Sequence, residues 1–250
     1  MASTARQQPL DCVTMSTLYL IRHGQASFGT ANYDQLSATG REQARHLGHY
    51  FAGLRDGGGE RIDRIYSGSL QRQRETADLI AGALQPAALP ITIDPAFDEY
   101  DSDVILQTFA RSLTPEQLSE AGWPQLKTDR RKFQLFLERA ARAWVEAQIE
   151  ADDMTPWRSF HGRTTVALEN IMRSEGRSKT LLISTSGGVI GTVVAHVLGL
   201  SNHTGIELNW AIHNASITRL IYSADKVSLS MFNALPHLDR EGLRQMITYR

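Results

Sequence analysis

The tripeptide Arg22-His23-Gly24 closes the apolar run Leu18-Tyr19-Leu20-Ile21. A neutral imidazole is a competent nucleophile near pH 7, because an unperturbed pKa of about 6.5 leaves a lone pair on one ring nitrogen. The neighbouring guanidinium offers a planar fork of N–H donors that fits phosphate oxygens. Together these groups suit phosphoryl transfer, where neutralising the transferring oxygens is most of the catalytic task. On its own a histidine after a strand is usually a polar loop residue, so the case depends on what else the chain brings to it.

Two other stretches carry anion-binding features. Arg72 falls in the first turn of the helix expected over "SLQRQRETADLIAGAL" at 69–84. A cation there opposes the helix macrodipole by roughly 0.3–1 kcal/mol, and a bound dianion offsets that cost. Gly187-Gly188 follows "TLLISTS" at 180–186 and precedes the apolar "VIGTVVAHVLGL". Backbone N–H groups at such a helix start form an anion site. The expectation is a phosphoryl group held between Arg22, Arg72 and this helix start, with His23 in the middle. His23, kept neutral partly by the two guanidiniums, then becomes a phosphohistidine that water releases. The leaving alkoxide needs a proton. The segment "DPAFDEYDSD" offers Asp94, Asp98, Glu99, Asp101 and Asp103, and the residues alone do not choose among them.

The elements that must position these groups alternate. Strands are expected at 18–21, 61–67, 90–93 and 180–186, with two closing strands at 215–222 and 226–235. A helix over 36–54 follows the first strand, with Thr39 as N-cap, Glu42 completing a capping box, and an apolar stripe of Ala44, Leu47, Phe51 and Leu54. This alternation predicts an α/β fold, a three-layer α/β/α sandwich with a mostly parallel central sheet. In such sheets ligands bind outside the carboxyl ends of the strands, where the three loops above must lie side by side. Between about 100 and 160 the pattern is helical without strands. A start at Thr114-Pro115-Glu116 and a stripe of Phe133, Phe136, Leu137, Ala140, Trp144 and Ala147 mark a helical insertion over one end of the sheet. Residues 1–15 read as a loose tail before a single domain over 16–250, and "DGGGE" at 56–60 as a loop without function.

The whole chain sets bounds. Its 250 residues suit one large α/β domain, and Lys+Arg of 26 against Asp+Glu of 27 gives no basic field for nucleic acid. The single cysteine, Cys12, excludes an intrachain disulfide and a cysteine-based zinc cluster, and fits a cytoplasmic location. No run of ~18 apolar residues marks a membrane span. No His/Asp/Glu cluster has metal-ligand spacing, so neither metal nor cofactor is expected.

Three blocks in order resemble the histidine phosphatase superfamily, the phosphoglycerate-mutase-like group with the RHG motif. They are Arg22-His23-Gly24-Gln25; then Leu36-Ser37, Gly40 and Gln43-Ala44; then Ser67, Leu70, Arg72 and Thr76-Ala77. The resemblance spans roughly residues 17–237. It implies His23 as nucleophile, Arg22 and Arg72 as phosphate ligands, and Glu99 as general acid, since Phe97-Asp98-Glu99 follows the third strand where the family places that glutamate. The family's fourth strand typically ends Ser-His-Gly-Gly, whereas this chain has Thr185-Ser186-Gly187-Gly188. Ser186 and Gly187 are then expected to donate to the phosphoryl group. A neutral hydroxyl in place of a cation forfeits about 1–2 kcal/mol, a 5- to 30-fold deficit in rate. A second departure is Gly29, where many members carry asparagine; Ser27 or Asn32 stand as substitutes. Of His46, His49, His161, His196, His203 and His213, the last is the first candidate to replace the missing imidazole.

The leading expectation is a phosphomonoesterase acting on a small phosphorylated substrate. A mutase-type phosphotransferase and a catalytically weakened phospho-ligand-binding protein are the alternatives, the latter motivated by Ser186. Trp123 and Trp157 line the pocket or belong to the core. The substrate is not legible, and a homodimer through an edge strand or the insertion is compatible with the sequence.

Overall fold

The computed structural model describes residues 15–27, 34–84, 89–123, 129–223 and 226–249. Gly29, Asn32 and all but the last residue of the expected tail lie outside them. The sheet consists of β1 (Ser16–Arg22), β2 (Arg64–Ser67), β3 (Ile91–Ile93), β4 (Thr180–Thr185), β5 (Ile217–Tyr222) and β6 (Val227–Ala234) in the order β3-β2-β4-β1-β5-β6. The first four run parallel, and β5 and β6 add an antiparallel pair beyond β1.

Strands β1 and β4 are continuous apolar runs because both of their faces are covered. Leu18, Leu20, Leu181 and Ile183 point into one core, while Tyr19, Ile21 and Leu182 point into the other. The second core is closed by α1 (Ala38–Asp56) and α2 (Gln71–Ala83), through Leu47, Phe51, Ala77 and Ile80. The first is closed by α3 (Ser102–Arg111), α5 (Arg130–Val145), α6 (Trp157–Ser174), α7 (Gly187–Leu198) and α8 (Asn202–Ala211), with Leu118 and Ala121 of α4 (Pro115–Ala121) packed against it. The helices thus form layers on both faces, as the alternating pattern predicts.

The expected insertion extends the first core rather than only capping the sheet's end. Phe136, Leu137, Ala140 and Trp144 of α5 share one cluster with Leu18 and Ile183. Trp157 is core, with its ring 5.1 Å from that of Trp144, and Trp123 stacks on Phe136. Pro124, Gln125 and Leu126, which follow Trp123, lie outside the described residues. Helix α5 stops at Val145, and Ala147 takes a left-handed φ of 53°, so the stripe ends before Ala147.

The N-terminus of α1 is placed differently from the expectation. Ser37, not Thr39, is the cap: its Oγ accepts the Gly40 N–H at 3.0 Å. The bridge between Ala26 and Leu36 holds the chain extended up to Ser37, which fixes where the helix can begin. Glu42 pairs with Arg45 instead of closing a capping box.

Candidate active site

The carboxyl ends of the parallel strands meet. Arg22 lies in register with Thr185, and Ser67 with both Ser184 and Ile93. The loops after β1, β2, β3 and β4 therefore open side by side. His23 follows β1 and is buried, with its backbone N–H on the Thr185 carbonyl at 2.9 Å. Its carbonyl accepts the Ala215 N–H at 3.1 Å, so the backbone is held from both sides.

The ring is held as well. Nδ1 lies 2.7 Å from the Gly24 carbonyl, which can only accept, so Nδ1 carries the proton. Nε2 keeps its lone pair and accepts from Arg72 Nε at 3.1 Å. Burial pushes the imidazole well below its ordinary range, Arg72 and then Arg22 push it further, and the Gly24 bond opposes them weakly. His23 is thus a neutral imidazole with a lone pair directed at a guanidinium.

Arg72 is mostly buried at the start of α2, and its Nη1 is 2.5 Å from Asp34 Oδ1. Arg22 donates through Nη1 to the Ile212 carbonyl. Both arginines act electrostatically on His23 and on Glu99, which places all four groups in one neighbourhood. Glu99 reaches across to the start of α7: its Oε2 accepts the Gly188 N–H at 2.9 Å and its Oε1 accepts the Tyr100 N–H at 3.1 Å. Burial raises the carboxyl above its ordinary value; the Gly188 N–H, Arg72, the Tyr100 N–H and Arg22 draw it back only in part.

The other acids of that segment are engaged elsewhere. Asp94 caps the short 3₁₀ turn Pro95–Phe97, Asp98 binds the N–H and hydroxyl of Ser69, and Asp101 caps α3. Asp103 sits exposed in the first turn of α3. Of the five acids, Glu99 is the one whose carboxyl meets the helix start at Gly188.

A family model for the histidine phosphatase superfamily, branch 1, matches residues 18–235. The chain belongs to that superfamily. No curated protein sequence matches the chain significantly. Among solved structures it is similar to a phosphoglycerate mutase from Bacillus anthracis at 18% identity and TM-score 0.60, covering 90% of this chain and 96% of that one. It is similar to a mycobacterial glucosyl-3-phosphoglycerate phosphatase complexed with VO3 at 21% identity and TM-score 0.60, covering 87% and 99%. A phosphoserine phosphatase from Entamoeba histolytica in complex with 3-phosphoglyceric acid follows at 19% identity and TM-score 0.58, covering 89% and 99%. At these identities the likeness is one of fold.

Within the histidine phosphatase frame, the helix start at Gly187-Gly188 is filled by the chain's own carboxyl. A Cβ on Gly188 would overlap Glu99 Oε1 and the Tyr100 ring, so glycine is what lets the acid approach. Gly187 packs against Asn209, whose amide donates to the Tyr100 hydroxyl at 2.8 Å. The Ser186 hydroxyl is fully buried and accepts from Gln73 Nε2 at 2.8 Å. Ser27 is also buried, its N–H on the Gln35 carbonyl at 2.8 Å. His213 is turned to other partners: Asn233 Oδ1 takes its N–H at 2.8 Å, and its ring packs 4.2 Å from that of Tyr249. Its chain neighbours Ile212 and Asn214 are the ones that touch Arg22 and His23.

Gln73 and Arg163 support the site without having been singled out in the sequence, and Thr76 and Gln43, singled out there only as motif positions, join them. Gln73 is fully buried; it donates to Ser186 and to the Phe97 carbonyl at 3.1 Å, and accepts the Leu70 N–H at 3.3 Å. Thr76 Oγ1 accepts the Gly24 N–H at 3.1 Å. Gln73 and Thr76 lie on the inward stripe of α2 with Ala77 and Ile80, and two polar residues on a core-facing stripe are the signal that marks them. Gln43, also fully buried, accepts the Gln25 N–H at 2.8 Å and donates to the Met246 carbonyl and Thr248 Oγ1. It ties the loop after His23 to a C-terminal segment beyond the family match. Arg163 of α6 binds the carbonyls of Pro95 and Asp98, fixing the turn that carries Glu99.

Proposed function

We propose that this chain is a phosphomonoesterase that hydrolyses a small phosphate ester through a phosphohistidine on His23. The observation that carries the reading is the locked tautomer: Nδ1–H on the Gly24 carbonyl, and an Nε2 lone pair facing Arg72. The phosphoryl group enters between them. The Nε2 pair bonds to phosphorus as the ester P–O bond breaks, and the leaving oxygen takes the Glu99 proton. Burial, which keeps that carboxyl protonated further up the pH scale, fits the role. Water then attacks, Glu99 accepts its proton, the P–N bond breaks and its electrons return to Nε2. Arg22 and Arg72 neutralise the phosphoryl oxygens in both steps. In this reading Ser186, Gly187 and Ser27 shape the surrounding loops, and the ligand charge rests on the two arginines.

One observation favours a second reading, a phospho-ligand-binding protein of low turnover: the group at the end of β4 is a neutral hydroxyl, Ser186, which accepts from Gln73, so that corner supplies no cation. Hydrolysis of an aryl phosphate by the parent and by His23→Ala separates the two. The phosphatase reading expects turnover in the parent and none in the variant. Orthovanadate binding to the parent, measured by calorimetry, without turnover supports the second.

A further inference from the structure

We propose that Asp34 is a positioning residue for Arg72, holding the guanidinium from one side so that its Nε faces His23. The proposal rests on the reading of His23 as nucleophile. Arg72 sits in the first turn of a helix, where a cation is misplaced, and the sequence reading assigns the compensation to a bound dianion. The structure finds a second compensating charge already in the chain. Asp34 Oδ2 accepts the Gln71 N–H at 2.8 Å, at the same helix start, while Oδ1 pairs with Arg72 Nη1 at 2.5 Å.

The two oxygens do different things. One anchors the carboxylate to the backbone of α2. The other grips the arginine, whose Nε is 3.1 Å from His23 Nε2. A guanidinium is planar and rigid, so contacts at two of its nitrogens fix its orientation. A free arginine samples many rotamers, and Asp34 removes part of that freedom before any substrate arrives. The pairing also has an opposite consequence: a carboxylate competes with phosphate for the same cation. Orientation and competition predict opposite effects of removing the charge, and this makes the proposal testable.

Asp34→Asn retains an amide oxygen for the Gln71 N–H and removes the negative charge. The full-length parent, Asp34→Asn and Asp34→Glu are compared in p-nitrophenyl phosphate hydrolysis, orthovanadate inhibition and thermal unfolding. Positioning predicts that Asp34→Asn lowers kcat about tenfold and weakens vanadate inhibition by a similar factor, the size expected for misaiming one charge-assisted donor. Asp34→Glu recovers most of both. Asp34→Ser, which keeps a hydroxyl acceptor, serves if Asp34→Asn does not fold. Tighter or unchanged vanadate inhibition at unchanged kcat in a folded variant overturns the proposal while leaving the phosphatase reading intact. A parent that neither turns over nor responds to vanadate removes that reading, and this proposal with it.

Discussion

Replacing Gln73 by leucine tests how the loops around His23 are held together. Leucine keeps nearly the same volume, so the change isolates hydrogen bonding. Three bonds disappear: those to Ser186 Oγ, to the Phe97 carbonyl and from the Leu70 N–H. The Phe97 carbonyl keeps a partner, since Thr185 Oγ1 donates to it at 2.6 Å. Leu70 is half-buried and its N–H can turn to water. The Ser186 hydroxyl is fully buried and loses its donor outright. Counting about 1 kcal/mol net for each of the two bonds to Ser186 and Phe97, nothing for the Leu70 N–H that turns to water, and about 1 for the stranded hydroxyl, the loss is about 3 kcal/mol. That corresponds to roughly 6–12 °C in Tm for a chain of this size. Denaturant unfolding of Gln73→Leu, Ser186→Ala and the double variant measures it. Because removing both partners strands neither, the double variant should be no less stable than Gln73→Leu, with a coupling of about 1–2 kcal/mol. Strictly additive losses, or a single-variant loss below about 1 kcal/mol, would refute the assignment of Ser186 to Gln73.

Other expectations follow from the same geometry. Glu99→Gln should lower turnover of alkyl phosphates by about 10²–10⁴-fold, and of p-nitrophenyl phosphate far less, because that leaving group departs without a proton; equal losses on both would remove Glu99 as the acid. In the parent, kcat/KM should gain its nucleophile above a His23 value that lies below 6.5 and lose its acid as pH rises through a Glu99 value that lies above 4.5. His237 is buried with neither ring nitrogen hydrogen-bonded among the described residues, and burial lowers it to about 3. Its unfolded form takes up a proton first, so its share of stability falls from pH 6.5 down to about 3, by about 1.4 kcal/mol per pH unit. His237→Phe should flatten that slope in pH-dependent unfolding, and an unchanged slope would show that the ring is not the source. Thr248 accepts from Gln43 at 2.9 Å and donates to Asn214 Oδ1 at 2.9 Å. Thr248→Val should cost about 1–2 kcal/mol and lower kcat, linking the C-terminal segment to the His23 loop; unaltered kcat would leave that segment purely structural.

What could be read from the sequence follows physical range. Strands β1 and β4 announced themselves because burial on both faces demands unbroken apolar runs. Arg22, His23 and Arg72 were legible because each sits at an element end where its type is out of place. Helix α8 was not: "NHTGIELNWA" fully buries only Gly205, Ile206 and Asn209, too little for an apolar stripe. Ser37 as the cap of α1 was not legible, because the extended bridge that sets the helix start is a contact with Ala26, well back in the chain. Glu99 was legible only through the family resemblance, since composition alone left five acids; in the structure it is the one of the five whose carboxyl meets Gly188. Asp34, Gln73 and Gln43 reach partners up to 38, 113 and 205 positions away, and no local pattern encodes such pairings.

The central claim is a covalent bond between His23 Nε2 and phosphorus. Rapid quench of the parent with a ³²P-labelled substrate, followed by peptide mapping, tests it directly. The account predicts acid-labile, alkali-stable label on the His23 peptide, absent in His23→Ala. Steady hydrolysis with no label on protein, or label on another residue, would contradict it.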